Sequence, residues 1–218
     1  MSTPARSAPL RKILVVLVAL LAAAGGALTA ALLLKPAGAP SEGMTATYIR
    51  GGKPVEAFQL LDQRGETFDQ ARLRGRWTFL FAGYTYCPDV CPATLMTMAE
   101  AYRQIVAALP DVPVQVALLS VDPQRDTPER LAEYLPYFHP DFIGLTGAEE
   151  QIKRLTRALG LVYQRHEPLP GETGYLVDHS ALLLLINPEG QLQALFRPPL
   201  LPQVIEADFR KIVATHAP

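Results

Sequence analysis

The chain has 218 residues, with 20 basic and 21 acidic side chains, a formal net charge of -1 and a pI of about 6.4. That balance argues against a basic nucleic-acid-binding surface, and 49% hydrophobic against 19% charged residues excludes an intrinsically disordered chain. Two cysteines are too few for a disulfide scaffold or an all-cysteine zinc site.

Residues 1–12 carry Arg6, Arg11 and Lys12 and no acid, and residues 13–34 then run without a charge. At about 1.5 Å per residue this run would extend ~33 Å as a helix, enough to cross a hydrocarbon core of about 30 Å. The expectation is therefore one transmembrane helix over 13–34 behind a short cytoplasmic tail, 1–12. A cleaved signal peptide is the alternative, with Arg11 and Lys12 in its n-region, although the apolar run exceeds a usual h-region. The basic residues on the N-terminal side orient that end to the cytoplasm of a bacterial-type inner membrane, single pass. Either reading exports the rest of the chain, to the periplasm or the exterior. Residues 35–53 are rich in Pro, Gly and Ala without an apolar period and read as a linker. Residues 54–218 fit one domain, with no internal repeat.

Within that domain, residues 55–61 and 66–68 flank Asp62-Gln63-Arg64-Gly65 and predict a hairpin, and residues 77–82 form a short apolar run expected of a buried strand. Leu95, Met98, Ala99, Tyr102, Ile105 and Leu109 recur at helical spacing, with Pro92 suited to the first turn. Residues 114–121 predict the next strand. Thr127 or Asp126 caps a helix with Pro128 in its first turn, and residues 142–145 predict a third buried strand. Thr146-Gly147-Ala148-Glu149 reads as a capping box opening a helix that Gly160 closes. Residues 181–186 and 192–196 flank the turn at 187–190 as a second hairpin, and a final helix covers 203–214. This order predicts an α/β fold, a sheet with helices on both faces and an added N-terminal hairpin. A reactive loop between an apolar strand and a helix then falls at the carboxyl edge of the sheet.

That loop, residues 83–92, reads GYTYCPDVCP. Cysteines four apart in or beside a first helical turn share a face, with Cα atoms about 6 Å apart. The spacing serves a disulfide and equally allows both sulfurs to reach one metal ion. The positive end of the helix favours thiolate, the form that attacks disulfides and binds soft metals. A purely structural disulfide closing so short a loop would gain little stability. Asp89, between the cysteines, caps the helix or steers a cation.

Two sulfurs leave a metal underfilled, and the chain offers His139, His166, His179 and His216. His139 lies at a helix end, His166 in a polar Pro-Gly-rich loop and His216 in the C-terminal tail. His179 stands just before the apolar run 181–186, where a strand would anchor it at a crevice. Spacing alone leaves it open between ligand and structural histidine.

The segments 83–92, Asp122 to Pro128, 138–147 and Tyr175 to Ser180 together resemble the Sco/SenC family of membrane-anchored, thioredoxin-fold copper chaperones that serve cytochrome c oxidase assembly. The resemblance covers the chain from about residue 54 onward. It implies one copper ion bound by Cys87, Cys91 and His179, with Asp178 supporting the site. It also implies a membrane-bound partner, the copper-site subunit of cytochrome c oxidase, alongside other copper or thiol-redox proteins. Tyr86 departs from the family, where many members have His before the first cysteine. Two thiolates and an imidazole suit copper in either oxidation state, while Mg or Ca would want oxygen ligands; zinc with a water has the same donor needs.

Two enzymatic alternatives remain at this level. A thiol-disulfide oxidoreductase would use Cys87 as the attacking thiolate and Cys91 as its resolving partner, without His179. A peroxiredoxin-like peroxidase usually has Thr or Ser three residues before its cysteine, where this chain has Tyr84.

Overall fold

The computed structural model describes residues 13–22, 25, 43–167 and 174–216. Residues 13–22 are helical and exposed. Residues 1–12, most of 23–34 and residues 35–42 lie outside the described residues, and so do the expected tail, much of the expected transmembrane helix and part of the expected linker. Among the described residues no helix is long and apolar enough to cross a membrane.

The domain is built on an eight-stranded mixed sheet in the order β1-β10-β9-β4-β5-β6-β2-β3. Its centre is β4 (Trp77–Gly83), β5 (Val114–Ser120) and β6 (Ile143–Thr146), paired in parallel. Every residue of β4 is buried, as a central strand covered on both faces requires. The predicted N-terminal hairpin is β2 (Gln59–Asp62) with β3 (Thr67–Asp69), antiparallel and attached to β6. The C-terminal hairpin is β9 (Leu183–Ile186) with β10 (Gln191–Phe196), which joins the other side of β4.

Alternation along the strands divides the core in two. Phe79 and Phe81 of β4 face α1 (Val90–Ala108), α2 (Pro128–Tyr134) and α4 (Pro202–His216), which contribute Leu95, Met98, Leu131, Ile205 and Phe209. Leu80 and Ala82 face the opposite layer, where α3 (Glu149–Leu159) buries Ile152, Leu155 and Leu159. Thr127 caps α2 by accepting from Arg130 N-H, and Gly160 ends α3 at φ +71°, as the sequence predicted.

Three expectations are corrected. Residues 47–54, assigned to the linker, form β1 (Thr47–Pro54) against β10. The strand shows no apolar period because it is an edge held by backbone pairing, and its register shifts where Gly51 and Gly52 take φ of +78° and +64°. The capping box at the start of α3 does not form: Ala148 occupies the cap without a side-chain bond, because Thr146 is committed to β6. The segment around His179 is a separate two-stranded sheet, β7 (Tyr163–Arg165) with β8 (Val177–His179). Too short to show periodicity, it is invisible in the sequence pattern.

The start of β1 is tied down from α4. The Asp208 carboxylate, 3% exposed, accepts from the backbone N-H of both Thr45 and Ala46 at 2.8 Å. Asp208→Ala should therefore leave two donors unpaired and destabilise the domain by about 2–4 kcal/mol, read as a lower urea midpoint of the full chain.

Candidate metal centre

The cysteine loop is the exit of β4. Val121 N-H donates to Gly83 O at 3.0 Å and extends the parallel ladder to the sheet edge, and the chain then turns, with Cys87 N-H on Tyr84 O at 3.2 Å. Cys87 stays in the loop, and Cys91 is the second residue of α1. Asp89 sits at the cap position, but its side chain makes no capping bond, contrary to expectation. Both cysteines are unpaired as thiols, Cys87 9% and Cys91 1% exposed.

His179, at the end of β8, comes to them from the far side. Its Nε2 lies 3.2 Å from Cys91 Sγ, and its ring meets the buried Tyr84 ring edge-on at 6.0 Å. The Tyr84 hydroxyl accepts from Val177 N-H at 3.2 Å, so one side chain braces both the histidine and the strand that carries it. The ligand atoms of Cys87, Cys91 and His179 all lie within 4.8 Å of one another, a spacing one metal ion can span.

Burial governs the protonation of these groups. Desolvation lowers the His179 pKa below its ordinary value, against the pull of the Ser180 carbonyl and the Asp178 charge, and favours a neutral imidazole whose Nε2 faces the Cys91 sulfur. Desolvation also pushes the Cys91 thiol well up, only partly opposed by the Tyr84 N-H. The expected thiolate preference from the helix terminus is thus outweighed at Cys91. A coordinated cation reverses this, because a metal-bound thiol is deprotonated outright.

Asp178 does not touch the cluster. Alternation along β8 turns it to the opposite side from His179, 77% exposed, where it lies 2.7 Å from His166 Nε2. His166, from the polar loop, is therefore the partner of Asp178 and stands apart from the sulfurs. His139 packs on Tyr102 and Phe142 and accepts from Asp141 N-H, and His216 lies against Trp77 and pairs with Glu189. Tyr86 is 51% exposed on the rim, with the guanidinium carbons of Arg125 and Arg130 at 4.8 and 5.2 Å from its ring.

Sequence reasoning misses two supports. Tyr84 enters it only as a mismatch to peroxidases. Gly83 gives no signal of its own, yet a Cβ there would stand 2.8 Å from Cys91 Sγ and 2.9 Å from Leu118 Cδ1. Glycine is required here for room. Gly83→Ala should cost about 1–3 kcal/mol of stability and, by displacing the sulfur, weaken metal binding; thermal melts and metal titration of the same variant read both effects.

The comparisons with known proteins agree with this geometry. The SCO1/SenC family model matches residues 47–214. A putative copper-binding protein of Stutzerimonas stutzeri is 40% identical over 162 residues, 71% of this chain and 78% of the relative. The copper-bound crystal structure of Arabidopsis thaliana ScoI superposes with a TM-score of 0.68 at 34% identity, covering 73% of this chain and 97% of that one. Copper-bound ScoI of Bradyrhizobium japonicum gives 0.65 at 31%, covering 73% and 99%. With a thioredoxin-like α/β fold and a match that takes in β1, the cysteine loop and His179, the chain belongs to the SCO1/SenC family.

Proposed function

We infer that this chain is a membrane-anchored copper-binding chaperone that carries one copper ion on Cys87, Cys91 and His179. It delivers that copper to the copper site of cytochrome c oxidase, reduces the cysteines of that site, or does both. The observation that carries the reading is the convergence of two sulfurs and one imidazole nitrogen within 4.8 Å, from a loop and a strand far apart in sequence. Soft thiolates with a borderline imidazole hold copper in both oxidation states. Zinc would accept the same donors with a water; copper is favoured by the copper-bound ScoI structures and the copper-binding relative.

The same pair supports thiol chemistry. Attack by the Cys87 thiolate on a target disulfide, followed by Cys91 resolving the mixed disulfide, passes two electrons to the target and leaves Cys87 and Cys91 oxidised. A protein that reduces a target's cysteines also prepares them to accept copper. Asp178 enters only through its charge, since its carboxylate is engaged by His166.

His179 separates the two duties. His179→Ala should weaken copper binding by more than the roughly 10–100-fold typical of losing a ligand's hydrogen-bond partner, while reduction of a model disulfide largely survives. Cys87→Ser should abolish both. Copper competition titrations and thiol-exchange rates on the same variants test this, and unchanged copper affinity in His179→Ala would leave only the reductase.

Anchoring rests on the uncharged run 13–34. Because β1 begins at Thr47, the linker is shorter than composition suggested, and residues 35–46 reach at most ~40 Å. The protein should resist carbonate extraction from membranes, and its domain should be cut by protease added to spheroplasts. A freely soluble mature protein would remove the anchor, and a protected domain would reverse the orientation.

A further inference from the structure

Asp126 is 0% exposed and sits at the turn that leads into α2. Its carboxylate accepts from Thr85 N-H at 3.0 Å, from the Thr85 hydroxyl at 2.7 Å and from the Ser120 hydroxyl at 2.7 Å. Each hydroxyl already receives a fixed donor, Arg130 Nε on Thr85 Oγ1 at 3.1 Å and Asp122 N-H on Ser120 Oγ at 3.1 Å. Their own protons are therefore left for the carboxylate. Burial pushes the Asp126 pKa up, opposed only in part by the Ser120 and Thr85 bonds. It is the two hydroxyl protons, directed onto the carboxylate by the donors behind them, that call for an ionised acceptor there.

The neighbouring acid is treated differently. Asp122, equally buried, is paired with Arg125, lies 3.7 Å from Arg165 and accepts from the Tyr175 hydroxyl at 2.7 Å. Among the described residues no basic group lies within 4.0 Å of the Asp126 carboxylate. The nearest guanidinium bound to this network, that of Arg130, stops one atom short on Thr85. The uncompensated charge stands behind a residue two positions before Cys87, and it adds to burial in raising both Cys91 and Tyr134.

We propose that Asp126 sets the oxidation-state preference of the metal centre, its buried charge favouring copper(II) over copper(I). This rests on the copper-chaperone function proposed for the chain. Two thiolates and a neutral imidazole give the centre a net charge of -1 with copper(I) and zero with copper(II). A further negative charge in a low-dielectric interior repels the first state and leaves the second untouched. The carboxylate also holds Thr85, and with it the cysteine loop, so charge and positioning must be separated in the test.

The experiment uses the full chain in detergent, with copper(I) and copper(II) affinities each measured by competition and folding checked by circular dichroism without metal. Asp126→Asn, close to isosteric, should raise the copper(I) to copper(II) affinity ratio on the order of tenfold, equivalent to about 59 mV for a one-electron couple. Arg130→Gln, at a partly exposed position, removes the guanidinium that bonds Thr85 and should move the ratio the opposite way. A shift of both variants in the same direction, or none in either, would overturn the proposal. If Asp126→Asn does not fold, Arg130→Gln decides alone, by the sign of its shift. Binding of neither ion by the unmodified chain would instead sink the copper reading itself.

Discussion

The contact between Cys91 Sγ and His179 Nε2 joins residues 88 positions apart, and most of the fold is arranged around it. The sulfur is placed by β4, buried along its whole length, whose parallel pairing with β5 runs to the last residue, Gly83. The nitrogen is placed by β8, which among the described residues pairs only with β7. Tyr84 couples the two supports, packing its ring against His179 while its hydroxyl holds Val177. A site assembled this way is preorganised on one side by the main sheet and depends on a two-stranded ribbon for the other. Isolated two-stranded ribbons are marginal in water, so the tyrosine brace supplies order that β7 and β8 cannot supply themselves.

Desolvation gives the site its chemical character. Burial favours the neutral imidazole at His179 and the protonated sulfur at Cys91, so neither of these two groups carries a buried charge without a cation beside it. A soft cation replaces that proton and completes the coordination. The same burial makes the surroundings responsive to any fixed charge nearby. Asp122 is neutralised by Arg125, whereas Asp126 is satisfied only by neutral donors and by hydroxyls that relay to Arg130. Both carboxylates come from one short turn after β5, so the segment that closes the sheet edge also shapes the electrostatics of the cysteine loop.

The β4-α1 loop was legible because it combines a strong apolar run, two cysteines flanked by proline and a helical period, all local signals. The central strands and all four helices of the domain were legible for the same reason, and so were the two hairpins, with their Gly-containing turns. β1 was not, since an edge strand with Gly51 and Gly52 carries no apolar alternation and is held by β10 and by Asp208, far along the chain. The capping box at Thr146 failed because a residue can serve a strand or a cap but not both.

Sequence by itself determined the α/β order, the CxxxC loop at a strand-to-helix turn, and the donor types, because each is written in neighbouring residues. Residue spacing left the third ligand open and resemblance alone pointed to His179; only the tertiary structure brought it to the sulfurs, turned Asp178 away toward His166, and showed that Gly83 must lack a side chain. Those outcomes depend on the side to which a short strand turns its residues and on the distance between atoms brought together from separate elements. Neither quantity has a local signature. Burial belongs with them, since it reversed the thiolate preference that the helix terminus alone would have conferred on Cys91.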